Sequence, residues 1–138
     1  MTLSDFDALT NRIWTELLEL IPEDLKSHFH KIQILIADEP SPEVLAELAD
    51  SDPDLAAHPE ELCGLHMGVP LPDELVTSPT LFPTRVYLFR KALIDMCGYD
   101  GTPETLDLLE EEIAITLLHE VGHFFGLDEE DLERLGYD

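Results

Sequence analysis

His119, Glu120 and His123 form the pattern H-E-x-x-H near the end of an apolar run that starts around Ile113. On a helix, residues four apart lie on the same face, so both imidazoles can reach one metal ion. Glu120 points away from that direction, beside the metal, where a carboxylate can act as the general base of a zinc hydrolase. The pattern therefore predicts a zinc site that activates water for peptide hydrolysis.

A third metal ligand must come from beyond this helix, because a catalytic zinc ion has three protein ligands and one open position. Gly126 is the residue type that ends helices and lets the chain turn back. In the longer pattern H-E-x-x-H-x-x-G-x-x-H/D the eleventh position supplies this ligand, and here it is Glu129. One residue of slippage in a tight turn would deliver a neighbouring carboxylate instead, namely that of Asp128, Glu130 or Asp131.

One zinc ion per chain is the expected cofactor, although two histidines and a carboxylate also accept other divalent metals. In the catalytic interpretation Glu120 takes a proton from water and returns it to the leaving amine. Spacing does not identify an oxyanion donor. Tyr137 is the preferred candidate because it lies just downstream of the metal turn, and Tyr87 and Tyr99 are alternatives.

Charge composition restricts the partners. The 138-residue chain has 31 acidic and 7 basic residues, a formal charge of -24. Such a chain repels nucleic acids and anionic membranes, so we expect neither as a partner. A peptide or protein substrate is expected instead, with basic peptides or proteins favoured. The oligomeric state does not follow from the sequence.

Length and hydropathy predict one domain, residues 1–138, in a cytoplasmic protein. A content of 44% hydrophobic residues is typical of a globular chain. No apolar run approaches membrane-spanning length, and residues 1–13 lack the pattern of a signal peptide.

The remaining thiols and imidazoles carry weaker signals. Cys63 and Cys97 form no CxxC pair, and a disulfide between them is left open. Cys63 and His66 have the spacing of half a zinc finger, but no second pair exists. We interpret three other histidines as surface residues: His28, His30 and His58.

Hydrophobic spacing in the first half of the chain alternates between helix and strand. It predicts a helix capped by Ser4 and running to Pro22, then a short helical stretch to residue 29. Residues 32–37 (IQILIA) are rich in β-branched isoleucine and predict a strand. Ser41, followed by proline, predicts the start of a helix that ends near residue 49, and the aspartates of residues 50–54 supply a second cap.

The second half predicts a long excursion, residues 62–83, with an extended piece at 65–69. Alternation over residues 85–93 predicts a strand. Thr102 caps the last long helix, whose acidic residues 110–112 are interpreted as its solvated face.

The chain resembles the zincin metallopeptidases and is similar to a small bacterial family of minimal zincin-like proteins, described as possible zinc metallopeptidases. Four segments carry the resemblance: IQILIADEPSPE, GLHMGVPLP, RVYLFRKAL and ITLLHEVGHFFGLDEEDLERLGY. It implies a compact α+β zincin-like fold with a small twisted mixed sheet packed against the H-E-x-x-H helix. It also implies that His119 and His123 are ligands, that Glu120 is the catalytic base, and that a carboxylate after Gly126 is the third ligand.

Some features depart from that family. Glu129 stands where similar proteins usually have aspartate, and all three methionines precede the motif, so a Met-turn is absent. Only a short acidic tail follows the site. We therefore expect a peptide to pair with an exposed strand edge, for which residues 85–93 are the candidate. A catalytically inactive zincin-fold protein, binding metal or a basic partner for structural or regulatory purposes, is the alternative.

Overall fold

A mixed three-stranded sheet with helices packed on it forms the fold, which confirms the predicted α+β class. The computed structural model describes residues 1–21, 23, 26, 29, 31–67, 84–124, 128, 130, 133 and 134. The helices are α1 (Leu3–Glu19), α2 (Pro42–Ser51), α3 (Pro53–Ala56), α4 (Arg90–Cys97) and α5 (Pro103–Phe124), with a 3-10 turn at Pro59–Glu61. The strands are β1 (Ile32–Ala37), β2 (Gly64–Met67) and β3 (Thr84–Phe89).

Strand β3 lies in the middle of the sheet, parallel to β1 and antiparallel to β2. Val86 and Leu88 are fully buried on the face that packs against α1 and α5. Phe89 is buried on the opposite face, where it contacts Leu48 of α2. The prediction that this strand is an exposed edge is therefore wrong, because both of its faces and both of its edges are occupied.

The predicted strand over residues 85–93 also ends early, at Phe89. Residues 90–97 form α4, which ends at Gly98 in the left-handed conformation (φ 62°). Arg90 pairs with Asp38 and donates to the carbonyl oxygen of Met1, while Leu93 is fully buried in the core. The alternation of side chains that predicted the strand continues past Phe89, but these tertiary contacts favour a helix there.

Side-chain hydrogen bonds cap the N-termini of several helices. Ser41 caps α2, Asp52 caps α3, and Thr102 Oγ1 accepts from the backbone N–H of Thr105 in α5, all as predicted. Helix α1 is capped by Thr2 rather than Ser4, because Thr2 and Asp5 form a reciprocal capping box. The second predicted helical stretch lies mostly outside the described residues, and Glu23, Lys26 and Phe29 are helical.

The segment predicted as a long excursion contains a strand of the sheet. Gly64–Met67 form β2, with Gly64 opposite Leu88 and Met67 opposite Arg85 on β3. Residues 68–83 lie outside the described residues. The extended piece was thus predicted, but its membership of the sheet was not, because only the pairing with β3 makes it a strand.

Helix α5 carries the largest part of the core. Leu109, Ile113, Leu117 and Phe124 are fully buried and pack against α1, α4 and the sheet. Within the described ranges, no helix has both the length and the apolar character needed to cross a bilayer.

Gly64 sets how closely α5 approaches β2. A Cβ atom at this position would lie 2.5 Å from Thr116 Cγ2 on α5 and 3.1 Å from the carbonyl oxygen of Tyr87 on β3. Neither distance is tolerated without movement, so glycine is required by the packing and not by its backbone angles. The next residue on the same face of β2, His66, lies edge-on to Phe124 at the end of α5.

We expect Gly64→Ala to lower the free energy of unfolding by about 1–3 kcal/mol, because the added methyl group forces α5 away from β2. Thr116→Ser removes the methyl group that the new side chain meets first, so the double variant should recover at least about 0.5 kcal/mol of that loss. Urea denaturation of the wild type, both single variants and the double variant measures this coupling. Strictly additive effects would show that the two positions do not compete for the same space.

Candidate metal centre

His119 and His123 direct their imidazoles at one point. The two Nε2 atoms are 3.3 Å apart, and the ring planes are inclined at 81° with centroids 4.9 Å apart. Both residues lie on α5, one turn apart, so the spacing of the motif is the direct cause of this proximity. The predicted convergence of the two side chains is therefore present in the structure.

The distance between the imidazoles fits a shared metal ion. Two nitrogen ligands about 2.1 Å from a tetrahedral ion are separated by about 3.4 Å, close to the 3.3 Å found here. One ligand atom each from His119, Glu120 and His123 lies within 4.8 Å of the other two. Two neutral imidazoles and a carboxylate are a donor set that zinc and other divalent ions accept.

Glu120 is buried, with only 8% of its surface exposed, and is the one buried carboxylate among the described residues. A helix turns 100° per residue, so Glu120 lies between the apolar face of α5 and the face that carries the histidines. Its Cγ atom lies 3.4 Å from where a Cβ of Gly64 would be, so the side chain rests against β2. The base candidate is thus fixed by packing, beside the imidazoles.

The third metal ligand stays a prediction. Glu129 and Asp131 lie outside the described residues, as does the oxyanion candidate Tyr137. Asp128 and Glu130 are described and exposed, and neither belongs to the ligand group that the described residues form.

The other two tyrosines lie away from the motif. The Tyr87 hydroxyl accepts a hydrogen bond from Arg85 Nη1 (3.3 Å), and its ring stacks on Phe89 with centroids 5.9 Å apart. Tyr99 packs against the main core. Neither lines the cleft that contains the histidines, so both side chains have structural roles as oriented here.

A cleft of about 540 Å³ opens beside the motif. Its walls come from α2, α3, β2, α4 and α5, and residues from both faces of β2 line it, which places the cleft along the edge of that strand. The chain thus positions His119, Glu120 and His123 on a cavity large enough for several peptide side chains. The described residues with largely apolar surface in this cleft are Leu48, Leu55, Leu62, Leu65, Met96 and Ile115.

His66 is a member of this cleft that the sequence analysis missed. Its Nε2 atom is buried without a hydrogen-bond partner, and its ring contacts Phe124 edge-on with centroids 6.3 Å apart. Burial, the larger cause, and the nearby charge of His123 together lower the pKa of His66 to about 4. One signal was available in the sequence: Gly64 and His66 are two residues apart, so they lie on the same face of β2. Recognising Gly64 as the position where a helix approaches would have predicted that His66 faces the same helix.

The two cysteines are free thiols, so the open question of a disulfide is answered. Cys63 Sγ donates to Met96 Sδ at 3.9 Å. Burial raises the pKa of Cys63 to about 11 and also raises that of Cys97, with the negative charge of Glu112 acting in the same direction on both. Both thiols are therefore protonated near neutral pH, and neither is suited to nucleophilic catalysis.

The remaining histidines were predicted to lie on the surface. His58 is exposed, as predicted, and its Nδ1 atom lies 3.6 Å from Glu60 Oε1. His28 and His30 lie outside the described residues.

Comparison with known proteins gives one family. A sequence model described as zincin-like metallopeptidase matches residues 29–137, a range that includes the sheet, the cleft and the H-E-x-x-H motif. No curated protein matches the chain.

We expect His66 to make the metal-free protein sensitive to acid. The folded state keeps this ring neutral down to about pH 4, whereas an unfolded histidine takes up a proton near its ordinary pKa of 6.5. The unfolded state therefore binds more protons between these values, and stability falls as the pH is lowered from 6.5 towards 4. His66→Phe should remove about 1–2 kcal/mol of this loss, a figure discounted for the partial exposure of the ring.

Denaturant unfolding at pH 7 and at pH 4.5, in the presence of a chelator, measures the difference between wild type and variant. His58→Gln serves as the control, because His58 is exposed and should leave the pH dependence of the wild type unchanged. If His66→Phe loses as much stability on acidification as the wild type does, His66 is not the residue responsible.

Proposed function

Because this chain belongs to the zincin-like metallopeptidase family, we propose that it is a zinc-dependent peptidase with Glu120 as its general base. The family assignment confirms the resemblance seen in the sequence. The observation that carries the proposal is the 3.3 Å separation of the His119 and His123 Nε2 atoms, with the buried carboxylate of Glu120 beside them.

In this proposal His119 and His123 hold the metal, with a carboxylate following α5 as the third ligand and Glu129 as its first candidate. A bound zinc ion supplies Lewis acidity, which makes a water molecule acidic enough to react near neutral pH. The histidines must be neutral to act as ligands, so acid conditions weaken binding. All three protein groups come from residues 119–131, which makes the proposed site local in sequence.

Glu120 is the group that moves the proton. Its carboxylate accepts a proton from the attacking water and donates it to the amine that leaves when the peptide bond breaks. Burial between α5 and β2 restricts its rotamers, so the base is held in one orientation before the substrate arrives. Gly64 lies against this side chain, because a Cβ atom at that position would be 3.4 Å from Glu120 Cγ.

The substrate would lie along β2 and not along β3, since β3 is central and β2 is the outer strand of the sheet within the described residues. The cleft follows this outer edge. An extended peptide can pair its backbone with the free edge of such a strand. Gly64 lies beside Glu120, so pairing with β2 brings a peptide bond next to the base.

Glu120→Gln should retain zinc and lose peptidase activity, because the amide is nearly isosteric with the carboxylate but cannot accept the proton. A loss of at least about a hundredfold in kcat/KM is expected for a general base. Zinc content by atomic emission and cleavage of a mixed peptide library measure the two properties on the same sample. Glu111→Gln is the matched control, since Glu111 is exposed on the same helix.

Cleavage by Glu120→Gln at the wild-type rate would contradict the proposed role of the base. A wild type that binds one zinc ion and cleaves no member of the library would instead identify a catalytically inactive zincin-fold protein.

Zinc should also stabilise the fold, because an ion that binds only the folded state shifts the unfolding equilibrium. At a free zinc concentration one hundred times Kd the gain is roughly 2.7 kcal/mol, and a chelator should remove it. His123→Ala should abolish this zinc-dependent shift in Tm.

The third ligand is the position whose amide variant weakens zinc binding most among Asp128→Asn, Glu129→Gln, Glu130→Gln and Asp131→Asn.

An unchanged shift in His123→Ala would place the metal elsewhere. Equal zinc affinity in all four amide variants would contradict a carboxylate third ligand in this turn.

A further inference from the structure

Two carboxylates line the cleft outside the group of candidate metal ligands. Glu112 lines it from α5, and Asp52 lines it from the junction of α2 and α3. Glu112 is partly buried, while its neighbour Glu111 is exposed. Of the residues 110–112 that were predicted to form a solvated face, Glu111 is exposed, whereas Glu110 and Glu112 are partly buried.

Glu112 belongs to the stripe of α5 that carries the metal motif. Glu112, Thr116, His119 and His123 recur at intervals of three or four residues, and all four line the cleft. Along the helix axis, Glu112 precedes His119 by seven residues, or about 10 Å. The carboxylate thus lies on the same wall as the histidines, at a defined distance from them.

No Lys or Arg of the chain compensates these carboxylates from within the cleft. All seven Lys and Arg residues occupy described positions, and none lines the cleft, so residues 68–83 and 135–138 contribute none. Five of the seven are engaged in ion pairs elsewhere: Arg12, Lys26, Arg85, Arg90 and Lys91. A cationic ligand in the cleft would therefore meet no competing Lys or Arg side chain.

Glu112 is available to such a ligand. Within the described residues it makes no ion pair and no hydrogen bond, in contrast to Glu110, which pairs with Arg12 at 2.7 Å. Asp52 is partly committed, because its Oδ1 atom accepts from the backbone N–H of Leu55 at 3.2 Å as a helix cap. Glu112 is consequently the stronger partner for a cation entering the cleft.

The cleft also has apolar side chains in its walls. Leu65 and Ile115 are half-buried and line the cleft. Apolar walls exclude water and strengthen the attraction between a carboxylate and a bound cation. A peptide that combines an apolar side chain with a cationic one matches both kinds of surface.

We propose that the cleft selects peptides with Lys or Arg about three residues from the scissile bond, held by Glu112 with Asp52 as a second partner. The number of residues follows from the axial distance of about 10 Å and a rise of about 3.3 Å per residue in an extended peptide. This specificity rests on the proposed peptidase function, since it deepens the role of the same site.

The net charge of -24 attracts any cationic peptide, so the experiment must separate a local contact from the field of the whole molecule. Glu112→Gln and Glu111→Gln change the net charge equally, at adjacent positions of α5, but only Glu112 lines the cleft. Asp52→Asn is the third variant, because asparagine also caps helices and preserves the start of α3. Comparing these variants therefore separates the contact between the peptide and Glu112 from the effect of the net charge.

The probes are fluorescent peptides that share one apolar residue at the expected cleavage point and carry Lys, Gln or Glu three residues before or after it. Binding to Glu120→Gln protein, with and without each charge substitution, is measured by fluorescence anisotropy, and kcat/KM is measured with zinc-loaded protein that retains Glu120. We expect the Lys peptide to be preferred over the Gln peptide. Glu112→Gln should reduce that preference about two- to fivefold, the range for partly exposed ion pairs.

Four further results are expected. Glu111→Gln should leave the preference of the parent protein unchanged, and Asp52→Asn should reduce it less than Glu112→Gln does. Glu112→Lys should favour the Glu peptide. Raising the salt concentration should reduce the preference in the parent protein, because the contact is partly exposed.

Equal affinity for the Lys and Gln peptides, or equal effects of Glu111→Gln and Glu112→Gln, would overturn the proposed specificity. A Lys preference in binding with no cleavage by the zinc-loaded protein would support this specificity and overturn the proposed peptidase function instead.

Discussion

The close approach of α5 to β2 at Gly64 is the contact on which the rest of the structure depends. A side chain at this position would come within 2.5 Å of Thr116, so the absence of a Cβ atom sets the distance between helix and strand. Since α5 is one rigid element, that distance positions His119, Glu120 and His123 together. It buries Glu120 against the sheet and leaves both imidazoles on the cleft.

The division of α5 into two faces explains how a polar site is maintained. Its apolar stripe includes Leu109, Ile113 and Leu117, each fully buried and each contributing about 1.5–3 kcal/mol by removal from water. This anchoring outweighs the cost of polar groups that are poorly satisfied, such as the buried Nε2 atom of His66. The site can therefore hold side chains in an arrangement that suits a ligand, even though this arrangement does not stabilise the folded protein.

Charge placement follows from the same helix geometry. The composition alone indicates an anionic molecule, but it does not distinguish Glu111 from Glu112. One residue along α5 corresponds to a rotation of 100°, which turns Glu111 to solvent and Glu112 to the cleft. The basic residues lie elsewhere, most of them paired with carboxylates, so the negative potential of the cleft is not balanced from within the chain.

The sequence by itself determined the features that depend on short-range spacing: the H-E-x-x-H pair on one helix face, the bounds of β1, and the caps at Ser41, Asp52 and Thr102. Only the tertiary structure decided which strand lies in the centre of the sheet, where β3 gives way to α4, and which side chains join the motif. His66 and Glu112 face the cleft because distant segments of the chain pack beside them. The periodicity of one segment does not indicate which other segments pack against it. Local spacing therefore predicts the ligands, whereas long-range packing decides the cavity around them.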